Sequence, residues 1–491
     1  MRCEAWEDFG RLVRGRFRAL APVLLAGAAL AGCAAMPHAD FSHLYSQRAG
    51  VARRPPLIVI PGVMGSRLVQ WKGGREVWPG RIPALLTGRS FCALSVPLLD
   101  PDPVADPAAL TPGGIFDEVG GHSFYSDLVR ALEDFGHYQC APPEAIDAAT
   151  DCVLFSWDWR LDFVEAARRL EGVVERIRQV RLDPELRVDV IAHSAGGLVA
   201  RYYLRYGGRD VLDAEVPAPP DLDGHGIDRL ILIGTPNFGS IAAVQQAMFG
   251  KTFPLGLAGP EVLATFPGLP ELFPHPRLDW MIEADGLPAA IDLFAIATWR
   301  DNRVGIFAPA ARLRLRDRLR DDAEVDRYLR AAETSFAASL RRGERFQRAL
   351  AIPLEQTDVG FYVFGSGCIA TPARCLVERE GGALALRSRP EDIRHPLPGI
   401  DYSARMLEPG DGSVTKSSLL GLPSLVDGRP GPAVFPVTAA VFICAPHESL
   451  SSNPTFLDNL LHVLLYRGPR PQAPAVPEAA PGTPFTPRPD F

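Results

Sequence analysis

Short runs of consecutive apolar residues alternate along this chain with longer stretches in which apolar positions recur every three or four residues. "PPLIVIPG" holds an unbroken apolar run from Leu57 to Ile60, closed by Pro-Gly. That is the pattern of a strand buried on both faces of a parallel sheet. "SFYSDLVRALEDFGH" puts Phe124, Leu128, Leu132 and Phe135 on one helical face and stops at Gly136. "CVLFSW" from Cys152 predicts a strand, and "LDFVEAARRLEGVVERIRQV" sets Phe163, Ala167, Leu170, Val174 and Ile177 at helical spacing. "RVDVI" predicts the next strand, Ala195 to Tyr206 a helix closed by Gly207-Gly208, and "RLILIG" (Arg229 to Gly234) a further strand. This alternation predicts an α/β fold, a doubly wound and mostly parallel sheet with helices on both faces.

The rhythm breaks from about Ser240 to Thr357, where the pattern is mostly helical and the loops are rich in Pro and Gly. The Arg-rich "ARLRLRDRLRDDAEVDRYLR" lies here and reads as a solvated helical face, with attraction to anionic lipid heads as the alternative. The strands resume with "FYVFGSG" from Phe361 and close with "AAVFICAP" to Pro446. The expected organisation is a core over 55–240, carrying a turn-rich insert at about 69–122, then a helical cap or lid over 241–357. The rest of the core follows over 358–467, and 468–491 is a Pro-rich disordered tail.

The 491 residues carry a formal net charge of -7, which gives no reason to expect a nucleic-acid partner. Arg11, Arg14, Arg16 and Arg18 precede the short apolar run "ALAPVLLAGAALAG", and the segment ends in Leu30-Ala31-Gly32-Cys33. A basic region, a short apolar core and small residues make an export signal. The ending resembles a bacterial lipoprotein signal, cleaved before the cysteine. That resemblance implies a signal peptide over 1–32, a linker over 33–54 and lipidation of Cys33, so that the protein sits on a membrane surface. With Ala34 after the cysteine, it implies the outer membrane of the bacterial envelope. A plain signal peptide or an uncleaved anchor is the alternative. Export leaves Cys92, Cys140, Cys152, Cys368, Cys375 and Cys444 in an oxidising compartment. The local pairs Cys140–Cys152 and Cys368–Cys375 are the expected disulfides, and no metal-ligand spacing appears among these cysteines.

"VDVIAHSAGGLVARYY" runs from a predicted strand through Ser194 into a predicted helix. Serine needs a base within hydrogen-bond reach and an acid to orient that base. A tight strand-to-helix turn, with the pattern G-x-S-x-G, lifts such a serine above a sheet; here Ala192 replaces the first glycine. A match this short is common by chance, so its place between strand and helix counts for more than its letters. "EPGDGSV" presents Asp411 between Gly410 and Gly412, where the acid belongs in the order serine, acid, histidine; alone it would read as a surface turn. "VFICAPHESL" puts His447 just beyond the last strand, where the base belongs. "IPGVMGS" ends the first strand, and the backbone N–H groups of Val63 (or Met64) and Ala195 are the candidate oxyanion donors. No metal or cofactor is expected.

"PPLIVIPGVMGSRL", "REVWPG", "FSWDWRLD", "VIAHSAGGLVARYYL", "LILIGTPNFGS", "GDGSV" and "PHESL" occur in the order seen in lecithin:cholesterol acyltransferase-like proteins, a resemblance covering roughly residues 55 to 465. The family includes phospholipases A and lipid acyltransferases on the α/β-hydrolase fold. The resemblance implies Ser194 as nucleophile, His447 as general base and acid, and Asp411 as the orienting carboxylate. It also implies a phospholipid or other lipid ester as substrate and a lid over a lipid trough. Asp158 and Arg160 are expected to pair at the pocket rim, Trp159 to serve packing, and His193 to be a structural hydrogen-bonding residue of the turn. The alternatives are a triacylglycerol lipase or general carboxylesterase and, from another class, a non-catalytic envelope lipoprotein using the fold as a scaffold.

Overall fold

The structure, a computed structural model, describes residues 40–45, 54–80, 91, 93–98, 109–116, 118–119, 122–214, 216–221, 224–253, 256–354, 357–422 and 433–466. Seven strands form the central sheet: β1 (Leu57–Ile60), β2 (Cys140–Ala141), β3 (Cys152–Leu154), β4 (Val188–His193), β5 (Ile227–Ile233), β6 (Gly360–Gly365) and β7 (Ala439–Phe442). Their order is β7-β6-β5-β4-β1-β3-β2, with every neighbouring pair parallel. The principal helices are α1 (Phe163–Arg181), α2 (Ala195–Tyr206), α3 (Ile241–Phe249), α4 (Pro309–Leu319), α5 (Asp322–Leu350) and α6 (Pro454–Leu465).

Both faces of the sheet are covered, which explains the unbroken apolar runs. Ile58, Ile60, Val190 and Ala192 face a cluster with Leu170 and Val174 of α1 and Leu198 and Val199 of α2. Leu57, Val59, Ile191 and Ile231 face Leu128, Leu132, Phe456 and Leu460. Local chemistry sets the helix ends. Asp162 caps α1 by accepting the Val164 N–H at 2.8 Å, and α1 ends at Leu182 with a left-handed φ of 53°.

The helix that follows Ser194 is clamped to the segment 241–357. Arg201 donates to the Leu350 carbonyl at 2.7 Å, Arg205 to that of Ile352 at 2.7 Å, and the Tyr206 hydroxyl to that of Ala349 at 3.0 Å. These carbonyls lie at or just beyond the C-terminal end of α5, where unpaired acceptors and the helix dipole favour cations. Two buried guanidiniums thus find backbone acceptors, and one more residue of the motif, Tyr206, joins them.

The segment 241–357 builds its own apolar cluster, with Val244, Met248, Trp299, Leu315, Phe336 and Leu340. Cys375, Val377, Leu384 and Leu386, from the strands Cys375–Glu380 and Ala383–Arg387, belong to the same cluster. The Arg-rich run is only partly a solvated face. Arg314 (2.9 Å) and Arg318 (2.5 Å) hold the fully buried carboxylate of Glu261, while Arg312 and Arg316 pair with Asp326 and Asp322. An ionised buried carboxylate needs such partners, so two of these arginines serve the interior rather than solvent or lipid.

Cys140 and Cys152 form the expected disulfide, on the adjacent strands β2 and β3. The second disulfide corrects the expectation: Cys368 bonds to Cys444, and Cys375 is a buried free thiol. β6 and β7 are parallel neighbours ending together, with Gly365 opposite Phe442, so the chain just beyond each meets the other. Cys375 is instead carried into the cap cluster. Among the described residues no helix is long and apolar enough to cross a membrane. Cys33, Cys92, the signal over 1–32, the tail over 468–491 and much of the insert at 69–122 lie outside the described residues.

Peptide mapping without reduction is expected to recover Cys140–Cys152 and Cys368–Cys444 linkages and no Cys368–Cys375 species. Because Cys368 and Cys444 are 76 residues apart, Cys444→Ser should lower unfolding stability in denaturant titration. A loss of about 2–4 kcal/mol is expected from releasing such a loop.

Candidate functional site

β4 delivers Ser194 into the turn with φ 52° and ψ −127°, a conformation few non-glycine residues adopt. The Ser194 N–H donates to the Ile233 carbonyl at 2.8 Å, and the Gly197 N–H donates to the Ser194 carbonyl at 3.0 Å. Glycine is required around this turn by crowding. A Cβ at Gly196 would lie 2.6 Å from the Pro61 carbonyl oxygen, and one at Gly62 would lie 2.8 Å from Ser194 Cβ. A Cβ at Gly197 would overlap the Thr235 side chain. Ala192 is different: it remains in the regular ladder, opposite Ile60 and Leu232, and its methyl packs in the core.

Three distant parts of the chain meet at Ser194. His447 Nε2 lies 3.0 Å from Ser194 Oγ, and His447 Nδ1 lies 2.8 Å from Asp411 Oδ2. Asp411 follows the strand Leu407–Gly410 and accepts the N–H groups of Ser413 (2.9 Å) and Val414 (2.6 Å) on Oδ1. Its own carbonyl accepts the His447 N–H at 3.0 Å, which fixes the histidine's backbone as well as its ring. Burial opposes the Asp411 charge, but His447 and the two amides outweigh it and hold the carboxyl below its ordinary pKa. Burial likewise opposes the His447 cation, and the charge and hydrogen bond of Asp411 prevail, raising its pKa.

The loop after β1 crosses beside Ser194 and is pinned from outside. Trp157 Nε1 donates to the Pro61 carbonyl (2.9 Å), Trp78 Nε1 to that of Met64 (2.8 Å) and Trp159 Nε1 to that of Ser66 (3.2 Å). Trp159 is buried between Trp78 and Phe266, the packing role expected of it. Asp158 and Arg160 pair at 2.6 Å, with Arg160 also donating to the Leu94 carbonyl, but neither lines the cavity that Ser194 faces. Among the described residues, the N–H groups of Val63 and Ala195 donate to no protein acceptor.

Ser194 and His447 open on a cavity of about 530 Å³ lined mainly by apolar side chains, including Met64, Phe116, Phe124, Phe253, Leu269 and Leu272. Val63 is on its wall. Sequence reasoning missed Tyr125 and Lys251, which also line it. Tyr125 sits inside a helical apolar pattern that drew attention to its neighbours, and Lys251 follows no motif. The hydroxyl of Tyr125 lies 2.7 Å from His193 Nδ1, the hydrogen bond expected of His193.

The opposed shifts at Asp411 and His447 fix a pH window. A lowered carboxyl contributes stability above its unfolded pKa, ordinarily 3.8, and loses it as pH falls through the lower folded value. A raised histidine contributes fully below its unfolded pKa, ordinarily 6.5, and loses that contribution as pH rises through the higher folded value. Urea midpoints of the protein and Asp411→Asn should therefore differ most between pH 3.8 and 6.5, converge as pH falls, and narrow only in part as pH rises, since the Ser413 and Val414 amides still hold the carboxylate.

The model of the lecithin:cholesterol acyltransferase family matches residues 119–286, a segment with Ser194 but neither Asp411 nor His447. No curated protein matches the sequence. Among solved structures, a chain of the Tle4–Tli4 complex aligns over 83% of this chain and 97% of its own, at 15% identity and TM-score 0.48. Lipase 1 from Pelosinus fermentans aligns over 85% and 100% at 11% identity and TM-score 0.32. EstA from Clostridium botulinum aligns over 87% and 91% at 11% identity and TM-score 0.34. Likeness this distant says nothing about the reaction. The parallel sheet of seven strands, the turn at Ser194 and the family match make this chain similar to the lecithin:cholesterol acyltransferase-like α/β-hydrolases.

Proposed function

We propose that the protein is a lipid-acting serine acylhydrolase or acyltransferase that works through an acyl-enzyme on Ser194. The observation that carries this is the chain of hydrogen bonds Ser194–His447–Asp411 opening on a 530 Å³ apolar cavity. Ser194 Oγ attacks the ester carbonyl while His447 Nε2 takes its proton, and the negative charge of Asp411 steadies the imidazolium. The N–H groups of Val63 and Ala195 receive the oxyanion. As the intermediate collapses, His447 returns the proton to the departing alcohol and the acyl group stays on Ser194. Water, or a second alcohol, then attacks the acyl-enzyme by the same route in reverse.

One cation on the cavity wall favours a phospholipid over a neutral glyceride. Lys251 is the only lysine or arginine among the described lining residues, and Glu448 is the only carboxylate. Burial pulls the Lys251 pKa down while the Glu448 charge acts in the opposite direction. An ammonium in an apolar wall is stabilised by an anion brought in with the substrate, such as a phosphate beside the ester. We also propose that Cys33 carries lipid, whose acyl chains hold the protein on the envelope membrane.

A fluorophosphonate probe should label the protein at Ser194 and fail to label Ser194→Ala. That variant should lose about a thousand-fold or more in turnover of phospholipid vesicles. An unlabelled wild type would favour the non-catalytic scaffold. Free fatty acid as sole product would identify a hydrolase, and an ester formed with added long-chain alcohol an acyltransferase. Lys251→Met should lower kcat/KM at least about ten-fold on phospholipid and much less on a neutral ester of the same chains, as loss of a charged hydrogen bond predicts. Equal losses on both would favour the glyceride lipase.

A further inference from the structure

Tyr125 and His193 are buried against the reacting groups and do none of the chemistry just described. We propose that they form a positioning relay, in which the Tyr125 hydroxyl holds His193 as its Nε2–H tautomer and ties the loop after β1 to the imidazole that packs on His447. The kinetic consequence of this relay rests on the acyl-transfer reading of the site; its geometry does not.

The direction of each hydrogen bond follows from what the groups can donate. The Gly62 N–H is only a donor, so Tyr125 Oη accepts it, at 2.9 Å. The same oxygen lies 2.7 Å from His193 Nδ1. The phenol has one hydrogen to place, and Nδ1 is the acceptor within reach. The reverse assignment, with Nδ1–H donating to the phenol, would leave a buried O–H without an acceptor, a costly arrangement. Burial drives the Tyr125 pKa upward, so the hydroxyl keeps its proton. His193 Nδ1 is therefore an acceptor and Nε2 carries the hydrogen.

Three titratable groups act on His193: Tyr125, His447 and Asp411. Burial first, and then the charge of His447, pull the His193 pKa down to about 3, against the smaller opposing pull of Asp411. The ring is thus neutral wherever His447 can work. This matters because the two imidazoles lie only 5.2 Å apart, centroid to centroid, at an angle of 32°. A second basic ring there would compete for the Ser194 proton. A hydrogen bond donated into Nδ1 favours the neutral ring and suppresses that competition. The Nε2–H makes no hydrogen bond among the described residues, and the ring is held by Tyr125 and by its packing on His447.

The other end of the relay is the loop. A Cβ at Gly62 would meet His193 O at 3.3 Å and Nδ1 at 3.4 Å, so the loop lies directly on this ring. Fixing the Gly62 N–H on Tyr125 fixes the Pro61–Gly62 peptide, and the Gly65 N–H on the Gly62 carbonyl at 3.0 Å fixes the next one, which carries the Val63 N–H, one of the two proposed oxyanion donors. Tyr125 and His193 thereby set the loop, the turn and the base relative to one another, without touching the substrate's reacting atoms.

The test uses the full-length protein and a short-chain ester, with Tyr125→Phe, His193→Asn and His193→Leu. Tyr125→Phe should keep KM within about two-fold and lose about 10–100-fold in kcat, less than loss of an oxyanion donor itself. His193→Asn, whose amide oxygen can accept where Nδ1 does, should retain most of kcat, whereas His193→Leu should behave like Tyr125→Phe. A purely structural role would lower Tm without this split between KM and kcat, or without rescue by Asn. Imidazole nitrogen-15 shifts in the wild type supply a readout free of turnover: Nε2–H with an unprotonated Nδ1 is expected throughout the neutral range. An Nδ1–H tautomer, or Tyr125→Phe turnover equal to wild type, would overturn the relay. A wild type with neither turnover nor probe label would overturn the function reading alone, and the shifts would still decide the tautomer.

Discussion

The site depends on how closely backbones approach around Ser194. The positive φ of this residue turns the chain sharply from β4 into α2, and the turn leaves no room for a side chain at Gly62, Gly196 or Gly197. Close approach brings the loop after β1 across the base of α2, so Val63 and Ala195 both stand near the serine with N–H groups that donate to no acceptor among the described residues. Strain of this kind persists only where the surroundings over-determine it. Here the parallel ladder of β1, β4 and β5, the Ser194 N–H bond to Ile233, and the tryptophans on Pro61, Met64 and Ser66 do so.

Charge is handled separately from shape. Asp411 and His447 stabilise each other in a buried setting that would penalise either alone, and the two amides on Asp411 take up its second oxygen. Elsewhere the interior uses guanidiniums for structure. Arg201 and Arg205 meet carbonyls around the end of α5, Arg314 and Arg318 hold Glu261, and Arg229 pairs with Asp189 across β5 and β4. The segment 241–357 and α2 are therefore joined by oriented polar contacts as well as by apolar packing. The cavity lies where core and cap residues meet: Met64 and Phe124 come from the core side, Phe253, Leu269 and Leu272 from the cap.

Much of this architecture was legible in the residues. β1 and α2 occupy the predicted residues, because a strand buried on both faces leaves a continuous apolar run and a helix leaves its period. Gly136 and Gly207 mark helix ends as expected. The strand from Cys152 is shorter than its apolar run: beyond Phe155, whose N–H still reaches the Val59 carbonyl, the chain leaves the ladder and Trp157 donates to the Pro61 carbonyl. The Arg-rich run misled because charge periodicity does not reveal a buried partner: Glu261 lies more than fifty positions away in sequence. Cys375 misled for the opposite reason, nearness in sequence being a poor guide where one cysteine leaves with the cap and the other stays with the sheet.

The sequence by itself determined the strand–helix alternation, the serine between strand and helix, and the order of serine, acid and histidine, because these are local patterns and their succession. Only the tertiary structure decided which distant groups meet. It brought Asp411 and His447 within hydrogen-bond distance of a common line to Ser194, paired Cys368 with Cys444, and set Tyr125 against His193 and Lys251 on the cavity wall. Such contacts depend on the order of strands in the sheet and the path of the chain between them, and no residue period records either.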